Sequence, residues 1–191
     1  MDAIGTPGDS ALHDLSYFTA AIRLKHARGE SPAEPAAQLA ALGRQGLPAG
    51  PELQRRAILM RWLPPPAAEG QALLADLRAR GMRGLLRCAL NGAARAALAR
   101  GVAQAADHAR EGLQLAAHAD IWCEEPADVW WTAFEVLEDC GHAAEAEAAL
   151  QTGAAWVQAG ATQWTDVHER DAWLRGNPLH RALLQRASAA R

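Results

Sequence analysis

Residues 162–191 read TQWTDVHERDAWLRGNPLHRALLQRASAAR, and inside them Gly176-Asn177-Pro178 ends one helix and opens the next. Asn is a good N-cap and Pro suits the first helical position, so helices are expected over about Gln163–Arg175 and Pro178–Ala189. Two amphipathic helices joined this tightly must lie against something upstream. They therefore read as the closing cap of a helical stack, with Asn177, Pro178, Arg170, Arg181 and Trp173 as its structural residues. Thr165 or Asp166 would cap the first of the pair, and Asp166 and Arg170 stand i,i+4 on it. Arg170 or Arg181 is expected to tie the pair to an acid such as Glu135 or Glu138.

Upstream, the same punctuation repeats. MDAIGTPG (1–8) reads as a loose, disordered end. Helices are expected over about Asp9–Ala27, from Ser31-Pro32-Ala33-Glu34 (a capping box) to Gly43, and over Glu52–Leu63. Pro64-Pro65-Pro66 cannot continue a helix, because each ring fixes φ and removes a donor. It separates N-terminal helices (9–63) from the remainder (67–191). Further helices follow at about Ala67–Arg80, Met82–Arg100, Val102–Ala119, Ala127–Cys140 and His142–Ala159. A 40-residue offset aligns Gly101 with Gly141, Ala103 with Ala143, Ala106 with Ala146 and Ala109 with Ala149. Small residues in that register let a second helix lie close to the first, as hairpin repeats require. The expected fold is all-α: about ten helices in antiparallel hairpins, stacked as a tetratricopeptide-like solenoid.

Composition agrees. Alanine makes up roughly a quarter of the 191 residues, and Val and Ile are scarce, which favours helix over sheet. No stretch approaches the roughly 20 apolar residues of a membrane span, and three irregularly spaced cysteines suit a reducing compartment, so a cytoplasmic and, from composition, bacterial protein is expected. Lys25 is the single lysine and follows no glycine, so no Walker-type phosphate loop exists. The net charge of -3 conceals a segregation: Arg55–Arg100 holds nine arginines against two acids, and Asp107–Glu147 holds eleven acids against Arg110. Pairing of the two blocks across neighbouring helices is the plain reading; a phosphate-binding patch and head-to-tail assembly are the others.

Six of the seven tryptophans (Trp122, Trp130, Trp131, Trp156, Trp164, Trp173) follow residue 120. Trp130 and Trp131 are adjacent and point about 100° apart on a helix, so one belongs to the core and the other can face a partner. His108, His118, Cys123 and Cys140-Gly141-His142 match no recurrent zinc spacing. Cys140 near a helix C-terminus is poorly placed to be a thiolate, because the dipole there disfavours negative charge. Glu124-Glu125 prepare the helix start at Pro126. No catalytic residue, metal site or cofactor is expected.

Pro126, Trp130, Trp131, Val136, Leu137, Gly141, Glu145, Ala146, Leu150, Gly153 and Trp156 form one hairpin pattern. Arg170, Asp171, Trp173, Leu174, Asn177, Pro178, Arg181, Leu183 and Leu184 form a closing motif. On these residues the chain from about Leu73 onward resembles the C-terminal tetratricopeptide-like region of large bacterial signal-transduction ATPases and transcriptional activators. The resemblance implies a regulatory or scaffolding segment and lends no catalytic residues. The expected function is therefore a non-enzymatic module that binds a protein or peptide in the groove made by the first helices of successive hairpins. Trp130 or Trp131 would be the anchor, and Arg83 and Arg87 a basic edge for an acidic group. A nucleic-acid accessory module using Arg55–Arg100 is the rival, although Tyr and Phe stacking platforms are missing. An enzyme is third, requiring a polar pocket around His108, His118 and Cys123.

Overall fold

The computed structural model describes residues 7–118 and 124–189. The described residues hold ten α-helices and no strand: α1 (Pro7–Ala27), α2 (Ala33–Leu42), α3 (Ala49–Trp62), α4 (Ala67–Ala79), α5 (Arg83–Ala99), α6 (Gln104–Gln114), α7 (Asp128–Asp139), α8 (Ala143–Ala161), α9 (Val167–Asp171) and α10 (Pro178–Ala189). Short 3-10 turns follow α2 and α6, and a π turn, Ala172–Gly176, runs from α9 toward α10. The all-helical class expected from composition is the one observed.

Helix ends follow the punctuation closely. Asn177 Oδ1 accepts from the Leu179 amide at 2.9 Å, with Pro178 as the first residue of α10. Gly101 and Gly141 both sit at positive φ, 65° and 80°. At each, the next residue's amide reaches back to the helix, Val102 to the Ala97 carbonyl and His142 to the Leu137 carbonyl, which is the Schellman arrangement. On the helices that follow, Ala106 and Ala146 are buried, as are Ala109 and Ala149, so the 40-residue offset is also an offset in burial phase.

Three expectations need correcting. The first helix starts at Pro7, not Asp9, so Pro7 and Gly8 are helical while residues 1–6 lie outside the described set. The capping box at Ser31 does not form: α2 begins at Ala33 with Pro32 at the N-cap and no side-chain cap. The helix expected over Gln163–Arg175 begins only at Val167, because Asp166 accepts from the His168 and Glu169 amides and fixes the start there.

Helix α1 packs on α2, α3 on α4, α5 on α6 and α7 on α8. In addition α1 meets α3, α3 meets α5 and α5 meets α7, while α2, α4 and α6 each touch the helix that follows. Helix α5 lies close against the backbone of α3 at Gly92. A Cβ there would stand 2.5 Å from the Arg61 nitrogen and the Met60 carbonyl carbon of α3, so the crossing tolerates no side chain. Buried apolar residues form two clusters, Leu15 through Ala93 and Ala94 through Ala187, which meet within α5. The triple proline joins α3 to α4, and both of these helices contribute to the first cluster.

The C-terminal pair is docked. Leu183 is fully buried, and the Trp173 indole donates to the Val157 carbonyl at 2.8 Å. Gly160 makes room for that indole, since a Cβ there would meet Trp173 at 2.5 Å. Trp130, Trp156 and Trp173 stack in succession with centroids 5.1 and 5.6 Å apart, and His180 closes the group at 4.4 Å from Trp173.

Candidate binding pocket

A cavity of about 290 Å³ opens where α1, α3 and α5 face the start of α7 and the start of α10. Ile22, Arg23 and His26 reach it from α1, Ile58, Arg61 and Trp62 from α3, and Cys88 from α5. Glu124, Glu125 and Asp128 supply its acidic wall, and Asn177 and Leu179 close it. The helix contacts explain the convergence: α1, α3, α5 and α7 touch one another in sequence, and each sends lining residues to a common space.

Arg61 is the centre of the polar wall. Its guanidinium pairs with Asp128, donates from Nη2 to His26 Nε2 at 3.2 Å, and lies 4.7 Å from the centroid of the Trp62 ring. Burial, helped by the charge of Arg95, lowers its pKa to about 9, which leaves it cationic at neutral pH. His26 stacks edge-on against Trp62 at 5.1 Å. Burial, with Arg61 and Arg95 adding to it, depresses the His26 pKa to about 4, so the ring is neutral at pH 7. Because Arg61 can only donate, the neutral ring must offer Nε2 as acceptor and keep its proton on Nδ1.

Beside the cavity lies a buried ion pair. Arg87 Nε donates to Glu124 Oε1 at 2.5 Å, its Nη1 donates to the Ala116 carbonyl at 2.9 Å, and Asn91 Nδ2 donates to Glu124 Oε2 at 2.8 Å. Burial pushes the Glu124 carboxyl pKa up, while Arg87 and Asn91 pull the other way. Glu125 differs from its neighbour. Its one described ionic contact is to His180 Nε2, at 3.6 Å. His180 Nδ1 stands 2.8 Å from the Trp173 carbonyl and donates to it, which turns Nε2 toward the Glu125 carboxylate.

Of the four residues expected at the anchor and edge, the structure buries two, Trp130 and Arg87. Trp130 is only 6% exposed and packs over Gly153, where a Cβ would come within 2.6 Å, so it is core. Trp131 is half-buried against Phe134. Arg87 has no exposed surface and is held by Glu124, so it cannot form a basic edge. Arg83 is exposed, 3.3 Å from His118 Nε2. Trp122 and Cys123 lie outside the described residues.

The cap residues fare unevenly. Asn177, Pro178 and Trp173 are placed as expected. Arg181 donates to the Arg175 carbonyl at 3.1 Å, and Arg170 is exposed. The tie to Glu138 comes from Arg186 at 2.9 Å, and Arg95 pairs with Glu135 at 2.7 Å. Length explains the substitution: Arg181 lies one turn into α10, too near its start to reach the end of α7.

The two arginine and acid blocks neutralise each other across helices, through Arg61–Asp128, Arg78–Glu111, Arg87–Glu124 and Arg95–Glu135. His108 and His118 are not brought together. His108 faces Gln71 across 3.3 Å, while His118 faces Arg83. Among the described residues, no group of three His, Cys, Asp or Glu side chains could hold a metal ion, and no helix is long and apolar enough to cross a membrane. His26, Arg61, Trp62, Glu125 and Asp128 went unnoticed in the sequence as pocket residues. The spacing of 35 between His26 and Arg61 was a usable signal once its companions, such as Arg87 and Glu124 at 37, were known.

No known family model, curated protein or solved structure matches this chain.

Proposed function

We propose that this chain is a non-enzymatic helical-repeat module of tetratricopeptide type that binds a protein or peptide on the face formed by α1, α3, α5 and α7. The observation that carries the reading is the cavity at which those four helices converge, with a half-buried tryptophan, Trp62, in its wall. Polar contacts between successive hairpins support the repeat. Gln71 meets His108, Arg78 meets Glu111, Arg87 meets Glu124, Arg95 meets Thr132 and Arg110 meets Glu145, at separations of 33 to 37 residues. That spacing is about one two-helix repeat. The resemblance to the tail of bacterial signalling ATPases fits a regulatory or scaffolding role. The free thiol at Cys140 suits a cytoplasmic setting.

Selection from a random peptide display library tests the proposal. Selected peptides should bind with micromolar Kd by fluorescence anisotropy, and Trp62→Ala should weaken them by about tenfold or more. The far-ultraviolet circular dichroism of the variant should remain helical. Peptides that bind wild type and Trp62→Ala equally well would remove this face as the site.

A further inference from the structure

The pocket has an unequal electrostatic inventory. Of its three carboxylates, Glu124 is taken by Arg87 and Asn91, and Asp128 uses one oxygen on Arg61. The other oxygen of Asp128, Oδ1, is buried and has no hydrogen-bond partner among the described residues, although the side chain is only 2% exposed. Glu125, 24% exposed, has no arginine partner among the described residues and lies 3.6 Å from His180 Nε2. On the cationic side, Arg61 is occupied by Asp128 and His26, Arg23 is itself engaged, and His26 is neutral. Asp128 Oδ1 is thus a buried acceptor without a hydrogen bond in the pocket wall, and leaving such an acceptor unpaired is costly. Around them the wall is apolar: Ile22, Ile58, Trp62 and Leu179. A volume of about 290 Å³ is at the small end for ligand pockets and suits one long side chain better than a cofactor.

We propose that this cavity receives a single basic side chain, lysine or arginine, of a peptide partner, its stem against Ile22, Ile58, Trp62 and Leu179 and its charged end at Glu125 and Asp128 Oδ1. The inference deepens the peptide-binding reading and rests on it. A long basic side chain fits because its methylene stem is apolar and its head carries only donors. Arginine and lysine are both accommodated, since neither carboxylate position demands a bidentate fork.

The probes are the capped peptides Ac-Gly-Arg-Gly-NH2 and Ac-Gly-Lys-Gly-NH2, their norleucine counterpart, and free n-butylguanidinium, each titrated into the full chain and followed by 1H–15N NMR. The basic peptides should shift the Trp62 indole resonance, and the norleucine peptide should bind about tenfold more weakly. Asp128→Asn removes the partner of a buried arginine and can unfold the chain. Glu125→Gln, at a half-buried position, is the decisive variant and should weaken the basic peptides by about tenfold. Equal binding of norleucine, no effect of Glu125→Gln, or failure of n-butylguanidinium, which carries the stem and charged head alone, to compete with the arginine peptide would overturn the proposal. Library peptides that bind this face without needing a lysine or arginine would sink this inference and leave the interaction reading standing; failure of the whole library would sink both.

Discussion

His26 sits against two cationic neighbours and an indole, and its environment makes a pH-dependent contribution with a defined sign. In the unfolded chain the imidazole titrates near 6.5, whereas in the folded protein it titrates at about 4. Between those values the unfolded state takes up a proton that the folded state refuses. Stability is therefore complete above pH 6.5 and declines as the pH falls toward about 4, by on the order of 1 kcal/mol once partial exposure is allowed for. Thermal melts across that window should show the decline, and His26→Gln should flatten it. Comparing the two proteins separates His26 from the carboxylates that titrate nearby. A slope unchanged in the variant would show that His26 is not its source. None of this was legible from the residue itself, because a lone histidine at the end of a helix looks solvated until Arg61 is seen beside it.

At the scale of helices, the crossing of α5 over α3 depends on the absence of a side chain at Gly92. Gly92→Ala forces a methyl group into backbone atoms of Met60 and Arg61 that have nowhere to go. The expected cost is about 2 kcal/mol or more, measured by urea unfolding. Gly50 is the matched control: it also lies in a helix, α3, and a Cβ there meets nothing within 4 Å. Gly50→Ala should stabilise by about 0.5 to 1 kcal/mol through helix propensity and reduced unfolded-state entropy. If both substitutions behave alike, the crossing is looser than described. Helix ends were the most legible part of the sequence, because Asn177, Pro178, Gly101 and Gly141 act through local backbone geometry. The start of α9 was less so, since Thr165 and Asp166 were equally good caps on paper and only Asp166 takes the role.

At the scale of the molecule, the basic and acidic blocks are partners of each other. Arg55, Arg61, Arg78, Arg80, Arg87 and Arg95 all lie in ion pairs, four of them reaching a residue on another helix or the loop before α7. Phosphates would have to compete with these carboxylates. Labelled single-stranded DNA should therefore show no salt-dependent binding in the micromolar range at low ionic strength, read by anisotropy. A steep salt dependence would restore the nucleic-acid reading.

The sequence alone determined the helical class, the number of helices, most of their ends and the existence of a docked C-terminal pair. These follow from short-range causes: propensity, capping atoms, missing donors and left-handed glycines. Tertiary structure decided which tryptophan is buried in the core, which arginine is spent inside, and where a pocket opens. Those outcomes depend on rotations of helices about their axes and on contacts between residues far apart in the chain. Trp130 and Trp131 make the point, being equal candidates in the chain until Gly153 offers a notch that only Trp130 fills.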